Sequence, residues 1–166
     1  MVERKLIVED ETVSYEGAFE VKELYAAMKE WCKERGYYPL EIKSTEVVGK
    51  EGRTIENVVW PTKKFSDYAR VFLRTKIYFV NIKDVEVERD GKKMKMQKGK
   101  VTIVFNSYLE TDYEGDWEDK PVFFFVRSLF EKFVYVPYIS GFEKQIKEET
   151  TELKRMVQAF LNLYRF

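Results

Sequence analysis

The chain has 166 residues, with 29 basic and 29 acidic side chains, no histidine and a single cysteine. Without histidine there is no Ser-His-Asp or Cys-His triad, no imidazole general base and no histidine-ligated zinc. Cys32 alone leaves no intramolecular disulfide, which fits a reducing cytoplasm, and the balanced charge gives no overall field toward nucleic acid or membrane.

Hydrophobic residues at 45% and aromatic residues at 16% are enough for one sizeable core, so a single domain over 1–166 is expected. Lysine and glutamate are prominent and asparagine and glutamine few, a composition that points to a thermophile. Met1–Arg4 runs into an acidic, alternating segment instead of a signal-peptide pattern, so a cytoplasmic location is expected. There is no GxGxxG or Walker-type glycine loop.

In chain order, Leu6, Val8, Val13 and Tyr15 read as a first strand with a kink near Asp10, ended by Gly17. Val21, Leu24, Tyr25, Met28, Trp31 and Cys32 follow at helical spacing. This predicts an amphipathic helix over Glu20–Arg35, stopped by Gly36, with Cys32 as a buried structural thiol. Tyr38–Val48 and Arg53–Trp60 form a hairpin around Gly49-Lys50-Glu51-Gly52. Pro61 ends it, and Thr62–Asp67 is a loop.

The central feature is a long ribbon from Tyr68 to Asp116 with its turn at Asp90-Gly91, a type I′ hairpin signal. That turn sets Arg89 against Lys92, Glu88 against Lys93 and Glu86 against Lys95. On the other face Val87 meets Met94, and Val85 meets Met96. Carried further, the register pairs Val80 with Val101, Tyr78 with Ile103 and Phe72 with Leu109. The apolar side switches near Asn81–Asp84 and Gln97–Lys100, where Gly99 sits, so a β-bulge is expected there. A ribbon of this length must curl around something.

The acidic turn after the ribbon carries Asp112, Glu114, Asp116 and Glu118 around Gly115, without EF-hand spacing, and no metal is assigned to it. Asp119 and Pro121 open a helix whose apolar stripe is Val122, Val126, Leu129, Phe130 and Phe133, stopped by Pro137. Val122–Phe142 is interrupted by Arg127, Glu131, Lys132 and Pro137, so it is amphipathic and not membrane-inserted. The last helix runs from about Phe142 to Tyr164, with Ile146, Leu153, Val157, Phe160 and Tyr164 on one face.

The element order is α+β: a curved antiparallel sheet of about five strands packed on a long C-terminal helix. That order resembles the helix-grip architecture of START-like ligand-binding domains. Tyr108-Leu-Glu-Thr-Asp-Tyr-Glu and Ala159-Phe-Leu-Asn-Leu-Tyr-Arg-Phe resemble segments of an uncharacterised archaeal family, which implies no activity and no functional residue.

Two kinds of non-catalytic binding follow, with no cofactor and no catalytic residue assigned. In the first, the sheet and C-terminal helices enclose an apolar small molecule or grip a partner segment. The candidate lining is Phe72, Arg74, Tyr78, Ile103, Phe105, Tyr108, Phe130 and Phe160. In the second, the 85–100 hairpin docks on RNA, a ribonucleoprotein surface or a protein. Lys92, Lys98 and Lys100 lack an opposing carboxylate in the hairpin register, Lys83 lies nearby, and Met94 and Met96 lie between the lysines. Phe124, Leu161, Leu163 and Phe166 fall off the apolar stripes of their helices. A homodimer with Phe124, Leu163 and Phe166 at the contact is therefore expected.

Overall fold

The computed structural model describes residues 2–38, 41–111, 129 and 136–164, with the backbone alone at 41–43 and 136–138. The elements are β1 (Glu3–Phe19), α1 (Val21–Arg35), β2 (Glu41–Gly49), β3 (Gly52–Val59), β4 (Thr62–Lys64), β5 (Ala69–Arg89), β6 (Lys92–Thr111) and α2 (Val136–Asn162). The strands form one antiparallel sheet in the order β1-β6-β5-β3-β2, with β4 also paired to β5. The sheet is curved and unclosed and packs against the C-terminal helix, which is the α+β arrangement expected.

Curvature has a local cause. The 21 residues of β5 would extend about 70 Å if straight. Bulges bend both β1 and β5. In β1 the register shifts between Val8 and Glu11, and Asp10 takes a φ of 47°. The Asp10 N–H, turned out of the ladder, donates instead to Asn106 Oδ1 at 2.9 Å. The kink read near Asp10 is this bulge, although β1 continues through Gly17 to Phe19.

In β5 the shift falls between Val80 and Lys83, where Asn81 and Ile82 together oppose Gly99. Toward the turn the pairs Arg89–Lys92, Glu88–Lys93, Val87–Met94, Glu86–Lys95 and Val85–Met96 are those the sequence gives. Beyond the bulge every pairing moves by one residue. Val80 meets Lys100 and not Val101, Tyr78 meets Thr102 and not Ile103, and Phe72 meets Tyr108 and not Leu109. Because side chains alternate with period two, this one-residue shift exchanges the two faces of β6 relative to β5.

The inner face of the sheet carries Val13 and Tyr15 from β1, Val71, Leu73, Ile77, Phe79 and Ile82 from β5, and Val101, Ile103, Phe105 and Leu109 from β6. Leu24, Met28, Trp31 and Cys32 of α1 and Ile146, Leu153, Val157 and Leu161 of α2 complete the core against this face. Gly36 ends α1 in the left-handed conformation, φ 78°. At the other end Glu20 provides no side-chain cap, and Gln97 Oε1 accepts the Val21 N–H at 3.1 Å across the sheet.

Three expectations change here. Thr62–Lys64 is a strand, not a loop: after Val59 the chain steps past Pro61 and resumes the same edge of β5, with the Leu73 N–H bonding to the Pro61 carbonyl at 2.9 Å. The last helix is already formed at Val136, six residues before Phe142, and it includes Pro137; the segment before it, where the preceding helix was read, lies outside the described residues. Leu161 is a core residue, one turn beyond Val157 on the same face.

Candidate functional site

The bulge decides which candidate lining residues can meet. Ile103 and Phe105 point inward and are packed core, with half-buried Phe160 against the same cluster. Phe72, Arg74, Tyr78 and Tyr108 stand on the outer face, turned away from both helices, and Phe130 lies outside the described residues. The set proposed as one lining is thus divided between two faces of the sheet. Extending the tip register through the bulge had placed Tyr78 beside Ile103; the shift places it beside Thr102.

One end of the outer face is held by a carboxylate between two guanidiniums. Glu110 is only 2% exposed; its carboxylate accepts from Arg4 Nη2 at 2.8 Å and from Arg70 Nε at 2.9 Å. Burial pushes this carboxyl up, but the arginine hydrogen bonds and charges outweigh it and hold Glu110 below the usual carboxylate range. The Phe72 ring lies under both cations, 5.3 Å from the Arg4 guanidinium carbon and 4.9 Å from that of Arg70.

Arg74, two residues further on, is different. Its guanidinium lies 5.0 Å over the Trp60 ring, and its buried Nε has no hydrogen-bond partner among the described residues. Trp60 in turn contacts Phe72 and Tyr108, each at a centroid distance of 6.4 Å.

A cleft of about 600 Å³ opens at the bulge. Glu16, Glu51, Val80, Asn81, Lys83, Val85, Lys98, Gly99 and Lys100 line it. The register builds it: Val80 faces Lys100, Lys83 faces Lys98, and Glu16 of β1 faces Lys100 from the other side. Asn81 Nδ2 donates to Glu51 Oε2 at 3.5 Å, tying the β2–β3 turn to the rim. Among the described residues, Lys83, Lys98 and Lys100 have no carboxylate within ion-pairing distance.

The contact set read from the hairpin therefore changes. Lys98 and Lys100 line the cleft, and Lys83 joins them, whereas Lys92 sits at the turn opposite Arg89. Met94 is half-buried and Met96 is 1% exposed, so Met96 offers no surface to a partner. Sequence reading missed Glu16 and Glu51 as neighbours of these lysines. The β1–β6 register brings Glu16 there and the β3–β5 pairing brings Glu51, and the hydrophobic pattern reveals neither.

The opposite face holds a second polar cluster, between α2, β4 and the end of α1. Glu149 accepts from Tyr37 Oη, from Lys63 Nζ at 2.8 Å and from Gln145 Nε2 at 3.0 Å. Burial pushes its carboxyl up, but these donors prevail and hold it below the ordinary range. Burial and the Glu149 carboxylate push the Tyr37 phenol far up, so it stays a hydrogen-bond donor. Burial also pushes the Cys32 thiol up to about 11, which makes it a packed side chain with little thiolate near neutral pH.

Among the described residues no group of three or more Asp, Glu or Cys side chains could hold a metal ion, and no helix is long and apolar enough to cross a membrane. The acidic turn 112–118, most of the helix read over 121–133, and Phe124 and Phe166 of the expected dimer contact lie outside the described residues. Leu129 is helical but 47% exposed, not on a buried stripe, and Leu163 is 66% exposed. Compared with known proteins, the chain matches no family model, no curated protein and no solved structure.

Proposed function

We propose that this domain is a non-catalytic binding module that docks on RNA, free or on a ribonucleoprotein surface, through the cleft at the base of the β5–β6 hairpin. The observation that carries this reading is the convergence of Lys83, Lys98 and Lys100, none with an ionic partner among the described residues, on one open cleft. Three lysines against Glu16 and Glu51 leave the cleft cationic in a chain whose net charge is zero. A phosphate backbone rewards such an arrangement because each lysine that meets a phosphate releases condensed counterions. The apolar-ligand reading has less support, since its lining residues are divided between two faces and Ile103 and Phe105 are packed core.

The test is fluorescence anisotropy with labelled RNA at about 0.05 M salt. Wild-type protein binds, the combined Lys83→Glu, Lys98→Glu and Lys100→Glu variant does not, and Lys92→Glu retains binding. A triple variant that binds as tightly as wild type overturns the proposal.

A further inference from the structure

The outer face of β5 reads Arg70, Phe72, Arg74, Lys76, Tyr78 and Val80, with cations and rings interleaved at the strand period. Arg70 is neutralised by Glu110, whereas Arg74 and Lys76 have no ionic partner among the described residues. This row leads directly into the lysine cleft, where Val80 faces Lys100 and the bulge brings Lys83 opposite Lys98. From Arg74 to Lys83 the strand covers about 30 Å.

Along that path Tyr78 is half-buried between Thr102 of β6 and Glu56 of β3. The face beside it carries the exposed Thr12, Ser14 and Lys100. At the far end Arg74 presents a guanidinium stacked on Trp60 that has no ionic partner among the described residues.

We infer that this row binds single-stranded nucleic acid, with phosphates on Lys83, Lys98, Lys100 and Lys76, a base on the Tyr78 ring, and an acceptor on Arg74. The inference deepens the RNA-docking reading above and rests on it. The interleaving is what discriminates among partners. Lysines alone would serve a duplex or an acidic peptide equally well, but an aromatic ring between cations matches a chain that alternates phosphates with unpaired bases. A duplex keeps its bases stacked inside and offers Tyr78 no face. Glu56 beside Tyr78 and Glu16 in the cleft disfavour phosphate at those two points, so the backbone is directed along the β5–β6 side of the face.

The test compares labelled oligouridylate of about 15 nucleotides with an RNA duplex of the same length, using wild type, Tyr78→Leu, Tyr78→Phe and the triple lysine variant. Tyr78→Leu keeps an apolar side chain of similar bulk, and matching thermal melts confirm that it folds. The expected result is tighter binding of the single strand, an affinity about 10- to 100-fold weaker for Tyr78→Leu, and near wild-type affinity for Tyr78→Phe. Equal binding of both probes, lost in the triple lysine variant but unaffected by Tyr78→Leu, overturns this inference while leaving the lysine cleft as a docking site. Binding of neither probe overturns both.

Discussion

Asn81 of β5 bulges directly over Gly99 of β6, and a Cβ at Gly99 would stand 2.9 Å from the Asn81 carbonyl oxygen and 2.6 Å from Ile82 Cδ1. Two residues here oppose one, Asn81 tolerates its φ of 55°, and the absent side chain at Gly99 lets the strands close. The same step moves Phe72, Arg74 and Tyr78 to the face opposite Ile103 and Phe105 and opens the lysine cleft beside them.

Gly99→Ala should therefore destabilise the domain by about 1–3 kcal/mol, because backbone oxygens, not a flexible side-chain tip, bound most of the space. Urea unfolding followed by circular dichroism measures this. A variant as stable as wild type would show that the strands do not approach as closely as described.

Acid sensitivity follows from Glu110. Its folded pKa is depressed, so the stabilisation it provides is fully present above the unfolded value near 4.3 and is lost as pH falls through the lower folded value. Glu110→Gln should be less stable than wild type by about 1–3 kcal/mol at pH 7, since it leaves Arg4 and Arg70 without their carboxylate. The difference should shrink as pH drops below about 4. Thermal melts at a series of pH values check both parts; a constant difference across the series contradicts the depressed pKa.

Leu153 within α2 and Leu163 just past its end separate core from surface. Leu153→Ala should cost about 2–5 kcal/mol, because Leu153 is fully buried against the sheet. Leu163→Ala should stay within about 0.5 kcal/mol. Comparable losses for both, by denaturant titration, would put the buried stripe of the helix elsewhere.

Cys32 should resist alkylation in the folded protein at pH 8 and react readily once unfolded, since burial both shields the thiol and holds its pKa near 11. Rapid labelling of native protein by an aromatic disulfide reagent would contradict that placement.

Much of this was legible in the sequence. Asp90-Gly91 fixed the hairpin tip pair by pair, Gly36 fixed the end of α1, and the spacing of Ile146, Leu153 and Val157 fixed the buried face of α2. The bulge near Gly99 was legible as a switch in apolar side, but which strand holds its extra residue was not. Hydrophobic alternation reports which side chains share a face, not which of two paired strands bulges. Carrying the tip register through the bulge unchanged divided the candidate lining, since Tyr78 and Ile103 were assigned to one face. The start of α2 was also read too late, at Phe142, because Pro137 was taken only as a stop, although proline also fits the first turn of a helix. Arg74 gave no sign of its unpaired Nε; that depends on Trp60, distant in sequence and brought to the outer face where β3 gives way to β4.

The central claim is that Lys83, Lys98 and Lys100 meet phosphates, and the salt dependence of binding tests it most directly. For single-stranded RNA, each lysine–phosphate contact contributes about −0.7 to the slope of log affinity against log salt concentration. Replacing the three lysines by glutamine should make the slope shallower by about 2 and weaken binding at every salt concentration. A slope unchanged by the three replacements would contradict the account and place the nucleic acid, if it binds at all, on another surface.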